Sequence, residues 1–469
     1  MLFNSGVFLK FFAAFLLLYW LVRNHLRARN ILIVVASYLF YGWWDFRFLG
    51  LILFSSLLDY FVGLGIARQN DARRRKLWLT ASVAANLGIL GFFKYFDFFV
   101  TSFGSLLQKL GVPFQTSTLG IILPVGISFY TFQAMSYTID VYRGNIPACR
   151  NVINFLAFVS FFPQLVAGPI ERASHLLPQF ERTLSITRPM LQEGGWLIIW
   201  GMFKKVVIAD NLDALVRMAF QNQGYSGPVV ALGTIAFGFQ IYCDFSGYSD
   251  IARGTARVLG FDIMVNFNLP YFASSIREFW QRWHISLSTW LRDYLYISLG
   301  GNRRGEIRTY VNLFLTMLLG GLWHGAAWNF VLWGAWHGAG LVIYRAWKSN
   351  VNSRNPGSWM GNCLSWLLTM AFVFYGWLLF RAQSFDQIVA MTRSLTHFAL
   401  PLWMGSYLIN LAAFLAPLLV MELWQFRSRN FLAPIALPQW ARAALQGVLL
   451  LAIILYWERT HLAFIYFQF

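Results

Sequence analysis

Apolar residues recur in long runs from one end of the chain to the other, at roughly 8–22, 31–44, 48–67, 77–93, 119–139, 155–166, 191–203, 229–243, 311–323, 329–344, 364–380, 408–424 and 443–457. Several reach the 17 to 25 residues that about 30 Å of hydrocarbon demands of a helix. Others, such as 31–44 and 155–166, are too short unless polar flanks extend them, and short runs at membrane depth suggest re-entrant or protein-buried helices. The first run carries only Lys10 near its start and is followed by Arg23, Arg27 and Arg29 with no small-residue cleavage site, so it is expected to be a retained membrane helix rather than a signal peptide.

Composition strengthens this picture. Of 469 residues, 58% are hydrophobic and only 12% charged, about half the charged share of a soluble domain. A soluble fold of this size could not hide so much apolar surface, which excludes a cytosolic enzyme, a disordered chain and a disulfide scaffold. The net charge of +18 would suggest nucleic acid in a soluble chain, but here the cations sit in short clusters between apolar runs, as positive-inside loops do. No nucleic-acid partner is expected. Arg23, Arg27 and Arg29 follow the first run, and Arg68, Arg73, Arg74, Arg75 and Lys76 follow the third, so both clusters lie on one side and the N-terminus is expected outside. Arg143 and Arg150 before run 155–166, with Arg172, Arg182 and Arg188 after it, favour a re-entrant element there. Cys149, Cys243 and Cys363 have neither paired spacing nor an even count, and are read as core residues.

Between 244 and 308 the apolar pattern fails. The segments DFSGYSDIARG and NFNLPYFASSIREFWQRWHISLSTWLRDYLYISLGGNRRGEIR are dense in Arg, Asp, Glu, Trp and Tyr, and 276–297 reads as amphipathic helix. An apolar run follows, then GGLWHGAAWNFVLWGAWHG at 320–338. His25, His175, His397 and His461 lie near run ends or in loops, where an imidazole needs no function. His284, His324 and His337 sit among tryptophans, and an ionisable group at membrane depth is costly enough that a functional role is the default. His324 and His337 are 13 positions apart, about 20 Å along a continuous helix, too far to share a metal. With no HExxH motif, GxSxG elbow or carboxylate pair beside them, no metal site is expected, and general base work suits a histidine best.

The segments FWQRWHISLSTWLRDYLYISLGGNR (279–303), LLGGLWHGAAWNFVLWGAWHG (318–338), QIYCDFSGYSDIARG (240–254), LVAGPIER (165–172) and the terminal FIYFQF (464–469) closely resemble the membrane-bound O-acyltransferases, and within them the bacterial subgroup that O-acetylates exported polysaccharides. The resemblance covers nearly the whole chain. It implies an all-α polytopic membrane protein of about 11 to 13 transmembrane or re-entrant helices around a central tunnel. The chain would form a single membrane domain over 1–469, with 244–308 a polar cytoplasmic or re-entrant segment and 309–345 carrying the catalytic histidine. It implies His324, in LWHG, as catalytic base, and His284, 40 positions upstream, as the second catalytic position; His337 is a supporting candidate. Donors to the developing oxyanion are not identified by the pattern; Trp323 and Asn329 are the candidates. The acetyl donor would be acetyl-CoA on the cytoplasmic side, its phosphates met by Arg277, Arg282, Arg303 and Arg304. No bound cofactor is expected. The partners implied are membrane lipids, a periplasmic acetyl-relay or polysaccharide O-acetyltransferase protein, and exopolysaccharide machinery at the bacterial inner membrane. A transporter or channel for an acetylated or lipid-linked intermediate is the alternative that polar helix interiors also suit.

Overall fold

The computed structural model describes the chain except residues 115–117, 167, 222–223, 351–357, 458–463 and 466–469. His461 and most of the FIYFQF tail therefore lie outside the described residues, as does Ala167 of LVAGPIER. The described residues are helical, with no strand among them. Among the described residues, five helices are long and apolar enough to cross a membrane: Phe46–Arg68, Ala72–Lys109, Gly227–Val258, Trp359–Arg381 and Met404–Ser428; shorter apolar helices cover Gly6–Val22, Val152–Leu165 and Gln439–Leu455. The contacts divide the chain into two compact units. One is Met1–Thr187 with Ala256–Met264 and Gly325–Ala327; the other is Arg188–Thr255 with Val265–His324 and Trp328–Phe469.

In the first unit, helix starts follow capping chemistry. Ser5 Oγ accepts from the Phe8 N–H, Asp71 from Arg73 and Arg74, and Asn151 from Ile153 and Asn154. The apolar run 119–139 does not form one helix: Ile127–Arg143 is helical, but the chain before it runs irregularly through Pro124 to Gly126. Gly126 has φ +75°, and a Cβ there would lie 2.8 Å from the Leu165 carbonyl oxygen, so a glycine start replaces the expected continuous span. The short run 155–166 breaks at Phe161 into Val152–Ser160 and Phe162–Leu165, both largely buried in protein. Asp59 is fully buried, taking hydrogen bonds from Ser82 Oγ at 2.5 Å and Asn86 Nδ2 at 2.9 Å, while Thr138 meets Ser82 at 3.0 Å. This polar knot ties the Leu49–Arg68, Ala72–Leu90 and Ile127–Arg143 helices in one register. Nearby in sequence to the GPIER motif, buried Glu171 accepts from His175 Nδ1 at 2.9 Å and from the Met264 N–H, and Asp262 lies 3.4 Å from His175 Nε2. Those two carboxylates, Asp262 foremost, push the half-exposed imidazole up to about 10.

In the second unit, Gly227–Val258 is one 32-residue helix, so the polar segment expected over 244–308 begins as the second half of a helix. Its charges are buried against those of another segment. Lys205, on the π-helical turn Phe203–Ala209, sits 2.6 Å from Asp244 and 2.6 Å from Asp210; Lys204 sits 2.7 Å from Asp250 and 2.9 Å from Ser246 Oγ. Tyr242 donates to Glu422 at 2.5 Å, and the Ile465 N–H to Asp244 at 2.7 Å.

Candidate active site

The hairpin of Glu306–His324 and Trp328–Asn350 carries the histidine motif. Its glycines let the two backbones touch. A Cβ at Gly321 would meet the Phe330 carbonyl oxygen at 2.3 Å and the Gly334 Cα at 2.8 Å; one at Gly334 would meet the Met317 carbonyl oxygen at 2.5 Å. This close approach brings His324, at the end of its helix, onto the facing helix: its ring lies 4.9 Å from Trp333, 5.2 Å from Trp323 and 5.5 Å from Phe380. Trp333 and His337 are one turn apart, and their rings pack at 4.8 Å. The expected 20 Å separation of His324 and His337 therefore does not hold, because the helix ends at His324 and the two residues belong to antiparallel arms. Both are deeply buried. His337 is enclosed by Phe279, Trp280, Trp333 and Phe372, and by the bare Gly376, where a Cβ would sit 2.8 Å from its Nε2.

His284 comes to the same place from a break in the chain. The amphipathic helix expected over 276–297 splits into Ile276–Arg282 and Ile285–Trp290, continued by a π-helical turn Leu291–Tyr296. His284 occupies the break with φ +42°, a left-handed conformation that costs a non-glycine residue on the order of 1–2 kcal/mol and must be held by its surroundings. Its Nδ1 is 3.1 Å from Asn266 Oδ1, its ring packs edge-on to Phe245 at 4.7 Å, and Trp323 lies 6.0 Å away. Trp323 is thus flanked by both histidines.

The remaining candidates separate. Asn329 donates its amide to the Phe380 carbonyl at 3.0 Å, which ties down the segment facing His324 and occupies that N–H. Arg282 pairs with Glu278 at 2.7 Å and donates to the Asn268 carbonyl at 3.1 Å. Arg303 and Arg304 are exposed. Arg277 lines a cavity of about 840 Å³ together with Arg292, Arg345 and Lys348, against one carboxylate, Glu306, among the described lining residues. Its apolar wall includes Leu313, Met317, Leu341 and Trp280. Trp280 also packs on Trp333 at 5.6 Å, so two aromatic rings connect the cavity wall to His324. Arg292, Arg345, Lys348 and Asn266 were not singled out by the sequence. The three cations lie scattered over 57 positions and only converge in the fold.

A family model matches residues 149–385. The chain belongs to the membrane-bound O-acyltransferase family. The acyltransferase is 46% identical to a "probable alginate O-acetylase" of Azotobacter vinelandii, over 82% of this chain and 76% of that protein. It is 47% identical to the protein of the same name from Pseudomonas aeruginosa, over 82% and 72%. A "peptidoglycan O-acetyltransferase" of Helicobacter pylori is 36% identical over 84% and 80%. The fold is all-helical and membrane-bound, as the resemblance of the motifs implies, and the enzyme is an O-acyltransferase.

Proposed function

We propose that this acyltransferase moves acetyl groups from acetyl-CoA on the cytoplasmic side of the bacterial inner membrane, through a central tunnel among about 11 to 13 spanning or re-entrant helices, to an acceptor on the periplasmic side. That acceptor belongs to the O-acetylation of an exported polysaccharide such as alginate or cellulose. The observation that carries this reading is the cavity of about 840 Å³ with its four cations, whose wall reaches His324 through Trp280 and Trp333. Four cations suit the phosphates of coenzyme A, and the apolar wall suits the pantetheine arm. His324 acts as general base on the acceptor hydroxyl, and His284, on the other side of Trp323, supports it. The hydroxyl oxygen forms a bond to the thioester carbon, the C–S bond breaks, and the hydroxyl proton travels by way of imidazole to the leaving thiolate. The sequence offers no evident nucleophilic serine or cysteine, which favours direct transfer in a ternary complex over an acyl-enzyme. A periplasmic acetyl-relay protein takes the group on to the polymer.

The test is transfer from radiolabelled acetyl-CoA by the purified full-length chain in detergent, with the periplasmic fraction of its host as acceptor source. Wild type is expected to label that fraction, and His324→Ala to lose the activity by about 10²- to 10⁴-fold at equal membrane abundance. Undiminished transfer by His324→Ala would overturn the assignment.

A further inference from the structure

Asn266 holds the His284 turn through both of its carbonyl groups. Its backbone oxygen accepts the Ile285 N–H at 2.9 Å. Its side-chain Oδ1 accepts the Ser286 N–H at 3.3 Å and the Ser286 hydroxyl at 3.0 Å, while Nδ2 donates to Ser249 Oγ at 3.3 Å. The amide orientation is settled by these partners, because a backbone N–H can only donate and so must face oxygen, not NH₂. His284 Nδ1 lies 3.1 Å from that same oxygen. An acceptor at that distance requires a proton on Nδ1, since two lone pairs would otherwise oppose each other in a fully buried site.

We infer that Asn266 is a positioning residue of the acyl transfer: it fixes His284 in the tautomer protonated on Nδ1, so that Nε2 is a proton acceptor. The inference rests on the acyltransferase reading of the two histidines and goes beyond it, because it decides what His284 can do. In its neutral form, His284 has no N–H to offer a thioester carbonyl. Instead it meets the acceptor hydroxyl through the Nε2 lone pair and shares with His324 the proton released as the new C–O bond forms. That proton leaves on the thiolate when the C–S bond breaks, and both imidazoles return neutral. The left-handed φ of His284 and the turn after it, pinned at the Ile285 and Ser286 N–H groups by Asn266, give the ring one direction, the arrangement expected when a second group orients a base.

The test compares Asn266→Ala and Asn266→Asp with wild type in purified full-length protein, following thiol release from acetyl-CoA with the host periplasmic fraction as acceptor, from pH 5.5 to 9.5. Removing the acceptor in Asn266→Ala is expected to lower kcat about 10- to 100-fold, the scale for losing an orienting hydrogen bond to a working histidine, with the KM for acetyl-CoA unchanged. Asn266→Asp keeps the Nδ1 bond and adds a negative charge, so kcat at its optimum is expected within about fivefold of wild type, with the acid limb of the rate profile moved up by about one pH unit or more. A merely structural asparagine would give the preserved rate in Asn266→Asp without the displaced limb. An unmoved limb in Asn266→Asp, or a kcat within twofold of wild type in Asn266→Ala, would overturn the inference. His324→Ala, run alongside, tests the acyl-transfer reading separately: its survival would sink that reading whatever Asn266 does.

Discussion

Gly321→Ala adds one methyl at the tightest point of the histidine hairpin. The new Cβ would stand 2.3 Å from the Phe330 carbonyl oxygen, about 1.1 Å inside the 3.4 Å of ordinary contact, and 2.8 Å from Gly334 Cα. Both neighbours are backbone, so neither can swing aside, and the two helices must part by on the order of 1 Å. Overpacking of this kind costs about 1–3 kcal/mol of stability. The parting also moves His324, on one arm, away from Trp333 on the other, and a misplacement of about 1 Å near reacting atoms can cost about 10²-fold in rate. The expected result is therefore a folded, membrane-inserted protein with kcat reduced about 100-fold and a lower Tm in detergent. Gly447→Ala and Gly88→Ala are the controls: both lie within helices, and a Cβ at either meets nothing within 4 Å. They are expected to keep full activity and to gain slightly in stability from better helix propensity. Thiol release from acetyl-CoA and melting monitored by fluorescent thiol labelling of the unfolded state would read both effects. Wild-type kcat and Tm in Gly321→Ala would refute the argument that backbone contact sets the position of His324.

Arg277→Lys and Arg345→Lys, which keep the charge but lose the planar fork, are expected to raise the KM for acetyl-CoA about 10-fold, while Arg303→Lys and Arg304→Lys, outside the cavity lining, leave it unchanged; equal effects in the two pairs would remove the cavity as donor site. His175 is held protonated between Asp262 and Glu171, with its value raised from 6.5 to about 10. A raised value stabilises the fold fully below pH 6.5 and loses that contribution as pH climbs through 10, so Tm should fall over that window, and less so in His175→Gln; a flat Tm from pH 6.5 to 10 in wild type would contradict the pairing. Cysteines placed at Asn24 and Asn70, beside the two basic clusters, should resist a membrane-impermeant thiol reagent applied to intact cells, and labelling from outside would reverse the orientation and with it the side from which the donor arrives.

How much of this was legible in the chain depends on the kind of signal. The five long spans each contain an apolar run, because a helix in lipid is predominantly apolar, although Gly227–Val258 continues into the polar stretch beyond the run that ends at 243. The start at Ile127 was hidden, because apolar residues at 119–125 read the same whether they are helical or irregular, and only the contact at Gly126 decides. His324 and His337 looked distant because a linear count assumes a straight helix, whereas the glycines of GGLWHG and LWGAWHG, which look like mere small residues, let the chain fold back. Asn266 left no trace in spacing. An asparagine 18 positions before His284 has no periodic relation to it and becomes its partner only through the left-handed turn. The cavity cations are hidden in a different way: Arg303 and Arg304 stand beside the motif in sequence, while Arg345 and Lys348 sit at the end of a neighbouring helix, where cations commonly flank a span.

The paired charges of the second unit carry a consequence for how the chain enters the bilayer. Asp244 and Asp250 lie on one helix, and their counter-ions Lys205 and Lys204 on a segment made earlier in translation. A charge presented alone at the middle of a nascent helix opposes partition by about 2.5–3.5 kcal/mol; Lys205 has Asp210 on its own segment, whereas Lys204 finds its carboxylate, Asp250, only on the later helix. Lys204 therefore gains its counter-ion only once Gly227–Val258 has been synthesised, and the burial of the two charges depends on both segments being present. A chain stalled just short of residue 250 leaves Lys204 without its carboxylate, while Lys205 already has Asp210 on its own segment.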